Sequence, residues 1–288
     1  MKQFYNYAIA LSFLAVMAQG ANAQTNDPTE TVDLGLKSGL LWATKNIGAE
    51  AAEEVGEYYQ WGYTEVQERC EWEGYKFAAY YGDWDDIPLL KYNNNPAYGT
   101  VDNLMTLEPE DDVATQKFGA EWHVPTKEEY LEMINGCNWS ADSVKFIDGS
   151  TPRIIFVGES KANGNKIYFP CCGNMSILIG KPHVFNDKSF GFYWTSSLTD
   201  SLCVTAAYAY FGTVSRQYVT EPFIRNERDR VIGMNIRAVK SAKSNSVDNI
   251  EATEQRNALT FDLTGKQVDP KSLKTGVYIR GGKKFFVK

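Results

Sequence analysis

The chain has 288 residues, a formal net charge of −7 and a hydrophobic fraction of 43%, with 7 Trp, 17 Tyr and 15 Phe. The acidic balance argues against a nucleic-acid-binding protein, because a phosphate backbone calls for a clustered basic face. The apolar fraction excludes disorder for most of the chain and suffices for one large core plus a small additional unit.

The first 23 residues have the pattern of a secretory signal. Lys2 supplies a charged start, an apolar run covers residues 8–18, and Ala21-Asn22-Ala23 is a small-residue cleavage site. The run is far shorter than the roughly 20 residues that a membrane-spanning helix needs. We therefore expect cleavage after Ala23, a short lead over residues 24–31, and a mature chain without a membrane span.

Two helices and several strands are predicted within residues 32–240. A short helix over residues 112–117 has an acidic run at its positive N-terminal end. A second helix begins at Thr126, which can form a capping box with Glu129, and ends at Gly136. The expected apolar face of this helix comprises Tyr130, Leu131 and Ile134. Strands are predicted at residues 153–157, 166–169, 193–196, 204–211 and 234–239.

Several long motifs of this region occur in an order typical of a known family. They are VDLGLKSGLLWATKNIGA, EVGEYYQWGYTE, LEPEDDVAT, FGAEWHVPTKEEYLEMI, YFPCCGN, FYWTSS and IGMNIRAV. The region resembles the Fibrobacter succinogenes major paralogous domain family, which is similar to the C-type-lectin-like fold of formylglycine-generating sulfatase-modifying factors. The resemblance implies an α+β main domain with short antiparallel sheets and few helices. His123 stands where the family's WR(L/M)PT motif has arginine, which calls an arginine-specific ion pair into question.

Five cysteines and two histidines are the candidates for covalent catalysis. The cysteine count is odd and no spacing specifies partners, so buried free thiols are the favoured interpretation. A nucleophilic pair of Cys171 or Cys172 with His183 lacks an orienting third group. Formylglycine-generating enzymes use two reactive cysteines near their C-terminal end, where this chain has Cys203 alone, so the resemblance does not imply that activity. The other two cysteines are Cys70 and Cys137.

The sequence predicts no cofactor and leaves a structural calcium ion as an alternative. Zinc would require a CxxC pair or two nearby histidines, and neither pattern occurs. Two acidic runs offer oxygen ligands for calcium, but neither has the spacing of a ligand loop. Solvated turns and helix caps are the simpler interpretation of these runs. They comprise Asp83, Asp85 and Asp86 in the first and Glu108, Glu110, Asp111 and Asp112 in the second.

The predicted ligand surface lies between the FYWTSS and IGMNIRAV motifs. In the lectin-like proteins that the chain resembles, this region builds a variable ligand surface. Rigid aromatic rings and forked guanidinium groups in this segment are suited to recognition. The candidate site residues are Tyr208, Tyr210, Arg216, Tyr218, Arg225 and Arg228, with Arg230 beside them.

Residues 241–257 are rich in Ser, Asn, Glu and Lys and are predicted to be a linker. The following residues, 258–288, are predicted to form a small all-β unit. Leu259, Phe261 and Leu263 alternate with other residues, as in a strand. The β-rich runs 277–280 and 283–288 flank Gly281-Gly282, which is suited to a two-residue hairpin.

This terminal pattern resembles the C-terminal sorting segment of type IX secretion in Bacteroidetes. The resemblance implies the type IX machinery as a partner and a secreted or cell-surface location. The alternative is a β-unit that merely packs. The matching residues are Asp262, Leu263, Gly265, Lys266, Gly276, Val277, Tyr278, Ile279, Gly282, Lys283 and Lys284.

Taken together, these patterns predict a non-catalytic binding protein for an extracellular glycan or protein, because no catalytic constellation is present in the sequence. Two alternatives remain open. One is a formylglycine-generating-type enzyme, and the other is a structural component of the cell surface or of fimbriae.

We expect the mature protein to begin at Gln24, because signal peptidases cut after the small-residue site that ends at Ala23. A strain with type IX secretion should export the protein and trim it within residues 241–257. Intact-mass measurement of protein from medium and cell fractions checks both expectations. An uncleaved protein confined to the cytoplasm would contradict the export hypothesis.

Overall fold

The computed structural model describes residues 30–79, 87–144, 152–199, 203–212, 222–241, 260–263, 266–269, 273–280 and 283–287. The chain divides into two compact units, Met1–Lys240 and Ser241–Lys288. The described residues form small antiparallel sheets with few helices, as the sequence predicts, so the fold is α+β or mostly β.

The main unit contains a 3-10 helix and two α-helices among its described residues. The 3-10 helix lies at Pro96–Tyr98, α1 at Val113–Phe118 and α2 at Lys127–Gly136. None of the helices in the described part of the chain has the length and apolar character needed to cross a bilayer. The strands are β1 (Thr31–Asp33), β2 (Leu41–Ala43), β3 (Trp122–His123), β4 (Cys137–Val144), β5 (Arg153–Ser160), β6 (Lys166–Pro170), β7 (Asn174–Leu178), β8 (Lys181–Phe185), β9 (Gly191–Leu198), β10 (Thr205–Phe211), β11 (Phe223–Asp229) and β12 (Val239–Lys240).

The first and last strands of the main unit lie in one sheet, whose order is β1-β2-β12-β3. Trp42 of β2 pairs with Val239 of β12, which in turn pairs with His123 of β3. The other described strands form the sheets β4-β5-β6 and β11-β10-β9 and the hairpin β7-β8. Strands β1 and β12 therefore lie on either side of β2.

The β11-β10-β9 sheet separates two hydrophobic clusters. All eight residues of β9 are buried. Phe192 and Trp194 belong to the first cluster, whereas Tyr193 and Phe211 belong to the second. Because successive side chains of a strand point to opposite faces, both faces of this sheet are covered. Burial on both sides explains why β9 is buried along its whole length, including the polar residues Thr195, Ser196 and Ser197.

Two tryptophans join the first cluster to backbone on opposite sides of it. Trp61 Nε1–H donates to the carbonyl of Thr195 at 2.9 Å, and Trp194 Nε1–H donates to the carbonyl of Tyr59 at 2.9 Å. Each indole therefore satisfies its donor on the segment that carries the other indole. Buried indole N–H groups need such partners, so this reciprocal pair fixes the loop around Tyr59 against β9.

Arg237 is fully buried just before β12 and bonds to neutral acceptors. Its Nη2 and Nε donate to Asn46 Oδ1 at 2.7 and 3.1 Å, and its Nη1 donates to the carbonyls of Ala43 and Thr44 at 3.3 and 3.2 Å. The guanidinium also lies 4.6 Å from the Phe169 ring centre. Burial lowers the pKa of Arg237, but an arginine keeps its charge at neutral pH. The charge is thus solvated by carbonyl dipoles and an aromatic face.

The capping box of α2 is confirmed. Glu129 N–H donates to Thr126 Oγ1 at 3.2 Å, and Thr126 N–H donates to Glu129 Oε2 at 2.8 Å. Tyr130 and Met133 are the buried residues of this helix, whereas Leu131 is 40% exposed. The expectation that Leu131 contributes to the apolar face is therefore wrong. Residues 130 and 133 share a face at helical spacing, and residue 131 is turned about 100° away from residue 130.

The chain passes from α2 into β4 without an intervening turn. Gly136 is the last residue of α2, and Cys137 already has extended backbone angles, φ −117 and ψ 155. A Cβ atom on Gly136 would lie 2.5 Å from Leu36 Cδ2. A larger residue at Gly136 would push the Leu36 side chain aside, and the left-handed conformation of a typical C-cap is not used.

His123 contacts the carboxylate of Glu129. Its Nε2 lies 3.0 and 3.1 Å from the two carboxylate oxygens of Glu129. Burial lowers the pKa of His123, but the carboxylates of Glu129 and Asp112 outweigh it, and the pKa is raised. A histidine-carboxylate pair thus links β3 to the start of α2.

Helix α1 begins as predicted, with Asp112 as its N-cap. Asp112 Oδ1 accepts from Thr115 N–H at 2.9 Å, and Oδ2 accepts from Val124 N–H at 2.8 Å. The predicted strand at 234–239 is wrong for most of its length, because β12 covers Val239–Lys240 alone. Met234 and Asn235 instead form isolated bridges with Tyr59 and Tyr193. Apolar and polar residues alternate in this segment as in a strand, but residues 233–239 are all buried, so the alternation does not mark one buried and one exposed face.

The terminal unit contains a four-stranded sheet in the order β14-β13-β15-β16. Its strands are β13 (Thr260–Asp262), β14 (Gln267–Val268), β15 (Gly276–Arg280) and β16 (Lys283–Val287). Arg280 pairs with Lys283, so the two-residue connection has the expected length, and the glycines at 281 and 282 lie outside the described residues. Leu263, Val277 and Phe286 are exposed on this unit.

Replacing Thr126 by Ala should lower the free energy of unfolding by about 1 kcal/mol, because the first turn of α2 loses its side-chain cap. Denaturant unfolding of the two proteins measures the difference. Thr100→Ala is the matched control, since Thr100 is an exposed threonine of the main unit. If Thr126→Ala, like Thr100→Ala, had the unfolding midpoint of the unmodified protein, the capping box would not contribute to stability.

Candidate functional site

The structure places four of the six predicted site residues on two neighbouring strands. Tyr208 and Tyr210 lie on β10, and Arg225 and Arg228 lie on β11. Tyr208 pairs directly with Arg225. The other two predicted residues, Arg216 and Tyr218, lie outside the described residues.

Tyr208 belongs to the hydrophobic core. Its side chain is 5% exposed, and its ring centre lies 5.9 Å from that of Phe192 and 6.4 Å from that of Trp194. Burial raises the pKa of the Tyr208 phenol. The ring is therefore a packing element beneath the surface that Tyr210 and Arg225 form.

Tyr210 and Arg225 form an intramolecular stack. The Arg225 guanidinium lies 4.9 Å from the Tyr210 ring centre and 5.1 Å from the Phe223 ring centre. Arg225 is exposed, whereas Tyr210 is partly buried against the first cluster. Such cation–π contacts order the arginine, and they also occupy its planar face.

Arg228 and Arg230 make contacts within the protein. Arg228 Nη2 lies 3.4 Å from Asn174 Oδ1, which connects β11 to the start of β7. Arg230 is fully buried, and its Nη2 donates to the carbonyl of Tyr92 at 3.2 Å. Its guanidinium lies 5.4 Å from the Trp61 ring centre. Arg230 therefore has a structural role and does not face a ligand.

A cavity of about 320 Å³ opens at the end of the same segment. Three parts of the chain form its walls: the loop at 70–73, strand β7, and the stretch that follows β11. The residues that line it are Cys70, Glu71, Trp72, Glu73, Ser176, Ile177, Asp229, Val231 and Ile232.

Gly233 brings these three walls together. Its N–H donates to the carbonyl of Met175 at 2.8 Å, and Met175 N–H donates to the carbonyl of Gly233 at 2.7 Å. A Cβ atom at Gly233 would lie 2.8 Å from Cys70 Sγ. The absence of a side chain at Gly233 thus lets the loop at 70–73 approach β7 closely.

The cavity combines apolar side chains with carboxylates. Trp72 is almost fully buried, and within the described part of the chain its indole N–H has no acceptor. Glu71 pairs with Arg69, whose Nη1 also donates to the carbonyl of Gly180 at 3.2 Å. Burial raises the pKa of Asp229, against the opposing effect of Arg228. The lining therefore offers an apolar base and negative charge.

Some residues of this cavity stand out in the sequence, although they were not among the predicted site residues. Glu71-Trp72-Glu73 places one aromatic residue between two acids. Asp229 lies at the edge of the predicted segment, next to Arg228. The contribution of Ser176 could not be foreseen, because it depends on the backbone pairing of Met175 with Gly233.

The second acidic run surrounds a lysine. Lys91 Nζ lies 2.6 Å from Glu108, 2.9 Å from Glu110 and 2.7 Å from Asp111. Lys76 Nζ lies 2.7 Å from the other oxygen of Asp111. The three carboxylates are close enough to share one metal ion, but the Lys91 ammonium already lies among them. A calcium ion at this position would compete with that ammonium.

The first acidic run, with Asp83, Asp85 and Asp86, lies outside the described residues. Asp112 serves as the N-cap of α1.

The five cysteines are all buried and free. Burial raises the pKa of Cys137 and of Cys172 to about 11 and that of Cys70 to about 12. Cys172 Sγ lies 3.2 Å from the carbonyl of Pro170, and the His183 ring packs on Phe185 with 4.7 Å between centres. Protonated, buried thiols are poor nucleophiles.

No protein-family model, curated protein or solved structure gives a significant match to this chain, so the interpretation of the site rests on its geometry.

Proposed function

We propose that this chain is a secreted or cell-surface protein that binds an extracellular glycan or protein without catalysis, and that the cavity beside Trp72 and Asp229 is its ligand site. The observation that carries the proposal is the cavity, whose volume of about 320 Å³ is within the range of small-ligand sites. Its apolar base can exclude water, and its polar groups can orient a ligand.

We further propose that the main unit is a C-type-lectin-like domain of the Fibrobacter succinogenes major paralogous domain type. Its small antiparallel sheets and the pairing of β2 with β12 support this proposal. The position of Asp229 supports it as well, because the cavity draws one wall from the segment that builds ligand surfaces in lectin-like proteins.

For the terminal unit we propose a role as a type IX sorting segment. Support comes from the residues that match the sorting pattern and from the antiparallel pairing of β13 with β15 and of β15 with β16. Together with the signal sequence, this role gives an extracellular location.

The formylglycine-type alternative requires reactive thiolates, and thiol chemistry tests it. We expect the native thiols to react slowly with a chromogenic disulfide reagent at pH 8, because burial raises their pKa. In denaturant, five thiols per chain should react at once. Rapid reaction of two thiols in the native protein, together with copper-dependent thiol oxidation, would favour the enzyme.

Filling the cavity should abolish ligand binding. We expect Ser176→Trp to weaken binding to any ligand found on a glycan or extracellular-protein array by tenfold or more, because the indole occupies the space between β7 and Asp229. Ser189→Trp, at an exposed serine outside the cavity, is the matched control.

Both variants must first show the unfolding midpoint of a folded protein. Equal binding by Ser176→Trp and by the unmodified chain would place the site elsewhere. A failure of the unmodified chain to bind any array member would favour a structural component.

A further inference from the structure

The cavity lining is strongly one-sided in charge. Glu71, Glu73 and Asp229 line it, and the lining residues that the structure describes include no Lys or Arg. Arg69 pairs with Glu71, and Arg228 acts on Asp229 while it bonds to Asn174, so these two arginines offset the three lining carboxylates only in part. An anionic ligand would therefore meet repulsion at this site.

For Asp229, burial outweighs the nearby positive charge of Arg228. Asp229 is partly buried at the end of β11, and among the described residues it has no ion-pair partner. Removing a carboxylate from water costs free energy unless a counter-charge or hydrogen-bond donors replace the water. A cation in the cavity would supply that counter-charge.

The polar groups of the lining are chiefly hydrogen-bond acceptors. Ionised carboxylates accept and cannot donate, and the Trp72 indole N–H is buried. Sugar hydroxyls both donate and accept, and the side chains of the lining offer a glycan few donors, namely the Ser176 hydroxyl and the buried Trp72 N–H. An ammonium or guanidinium group donates only, which matches this lining.

The apolar part of the lining suits the rest of such a ligand. Ile177, Val231 and Ile232 offer aliphatic contacts next to Trp72. Lysine and arginine carry their charge on a methylene stem that packs well on apolar surface.

We infer that the cavity receives the cationic side chain, lysine or arginine, of a partner polypeptide. This inference rests on the proposed ligand site and selects a protein as its ligand. The stem contacts the aliphatic wall, and the charged group binds between Asp229 and Glu73.

The test compares a fluorescent lysine-containing peptide with the same peptide carrying Nε-acetyl-lysine, using anisotropy titrations at low and moderate salt. The lysine peptide should bind at least tenfold more tightly, because acetylation removes the charge and two donors. Added salt should weaken its binding. Equal binding of the two peptides would overturn the inference.

A charge-matched pair of double variants separates the cavity from the general acidity of the protein. Asp229→Asn with Glu73→Gln should lose tenfold or more in affinity for the lysine peptide. Glu65→Gln with Glu68→Gln removes the same charge at exposed positions outside the lining and should keep the affinity of the unmodified chain. Equal losses in both pairs would show non-specific attraction and overturn the inference.

The Ser176→Trp variant distinguishes this inference from the proposed function. If the variant loses a neutral glycan ligand while the unmodified chain does not bind the lysine peptide, the ligand site stands and the cationic specificity is wrong. If the variant retains every ligand of the unmodified chain, the proposed site itself fails, and the inference fails with it.

Discussion

The buried guanidinium of Arg237 is the interaction on which the main unit depends. It lies between the exit of β2 and the entry of β12, where it bonds to Asn46 and to two backbone carbonyls. Ala43 is the last residue of β2, and Thr44 and Asn46 lie in the turn that follows it. Loss of the guanidinium would remove the donors that now bond to the buried Asn46 Oδ1 and to both carbonyls. The Phe169 ring covers one face of the charge and ties this junction to the second cluster. One side chain, Arg237, therefore stabilises both the first sheet and the packing of the second cluster.

The cavity depends on the same segment of the chain, upstream of Arg237. The segment that ends in Arg237 passes Gly233, where it pairs with Met175 and makes room for Cys70. Arg230, in the same segment, is fixed under Trp61 by backbone carbonyls. Rigid backbone on both sides of Val231 thus holds the apolar wall of the cavity in place. A preformed site of this kind spends little of its binding free energy on ordering itself.

Local structure was predictable from the sequence to the extent that its causes are local. The Thr126–Glu129 box requires residues three positions apart, and the helix begins where that spacing places it. The cavity is different, because its walls come from segments that are distant in the sequence, and the pairing of Met175 with Gly233 helps to bring them together. Tyr208 is a second case in which the local sequence does not reveal the role of a residue. A tyrosine suits recognition, but Tyr208 is buried in the first cluster and has a packing role. The spacing of residues within β10 does not reveal this burial.

The closure of the first sheet also sets how the main unit carries mechanical load. Strands β1 and β12 flank β2 and both run antiparallel to it, so they point in the same direction. The chain enters this sheet at Thr31, which pairs with Ala43, and leaves it at Lys240, which pairs with Leu41. The entry and the exit therefore lie at opposite ends of β2. Tension applied at Thr31 and at Lys240 would pull these two ends apart along the strand axis. The hydrogen bonds on both sides of β2 would then be sheared together, which resists force better than opening them one after another.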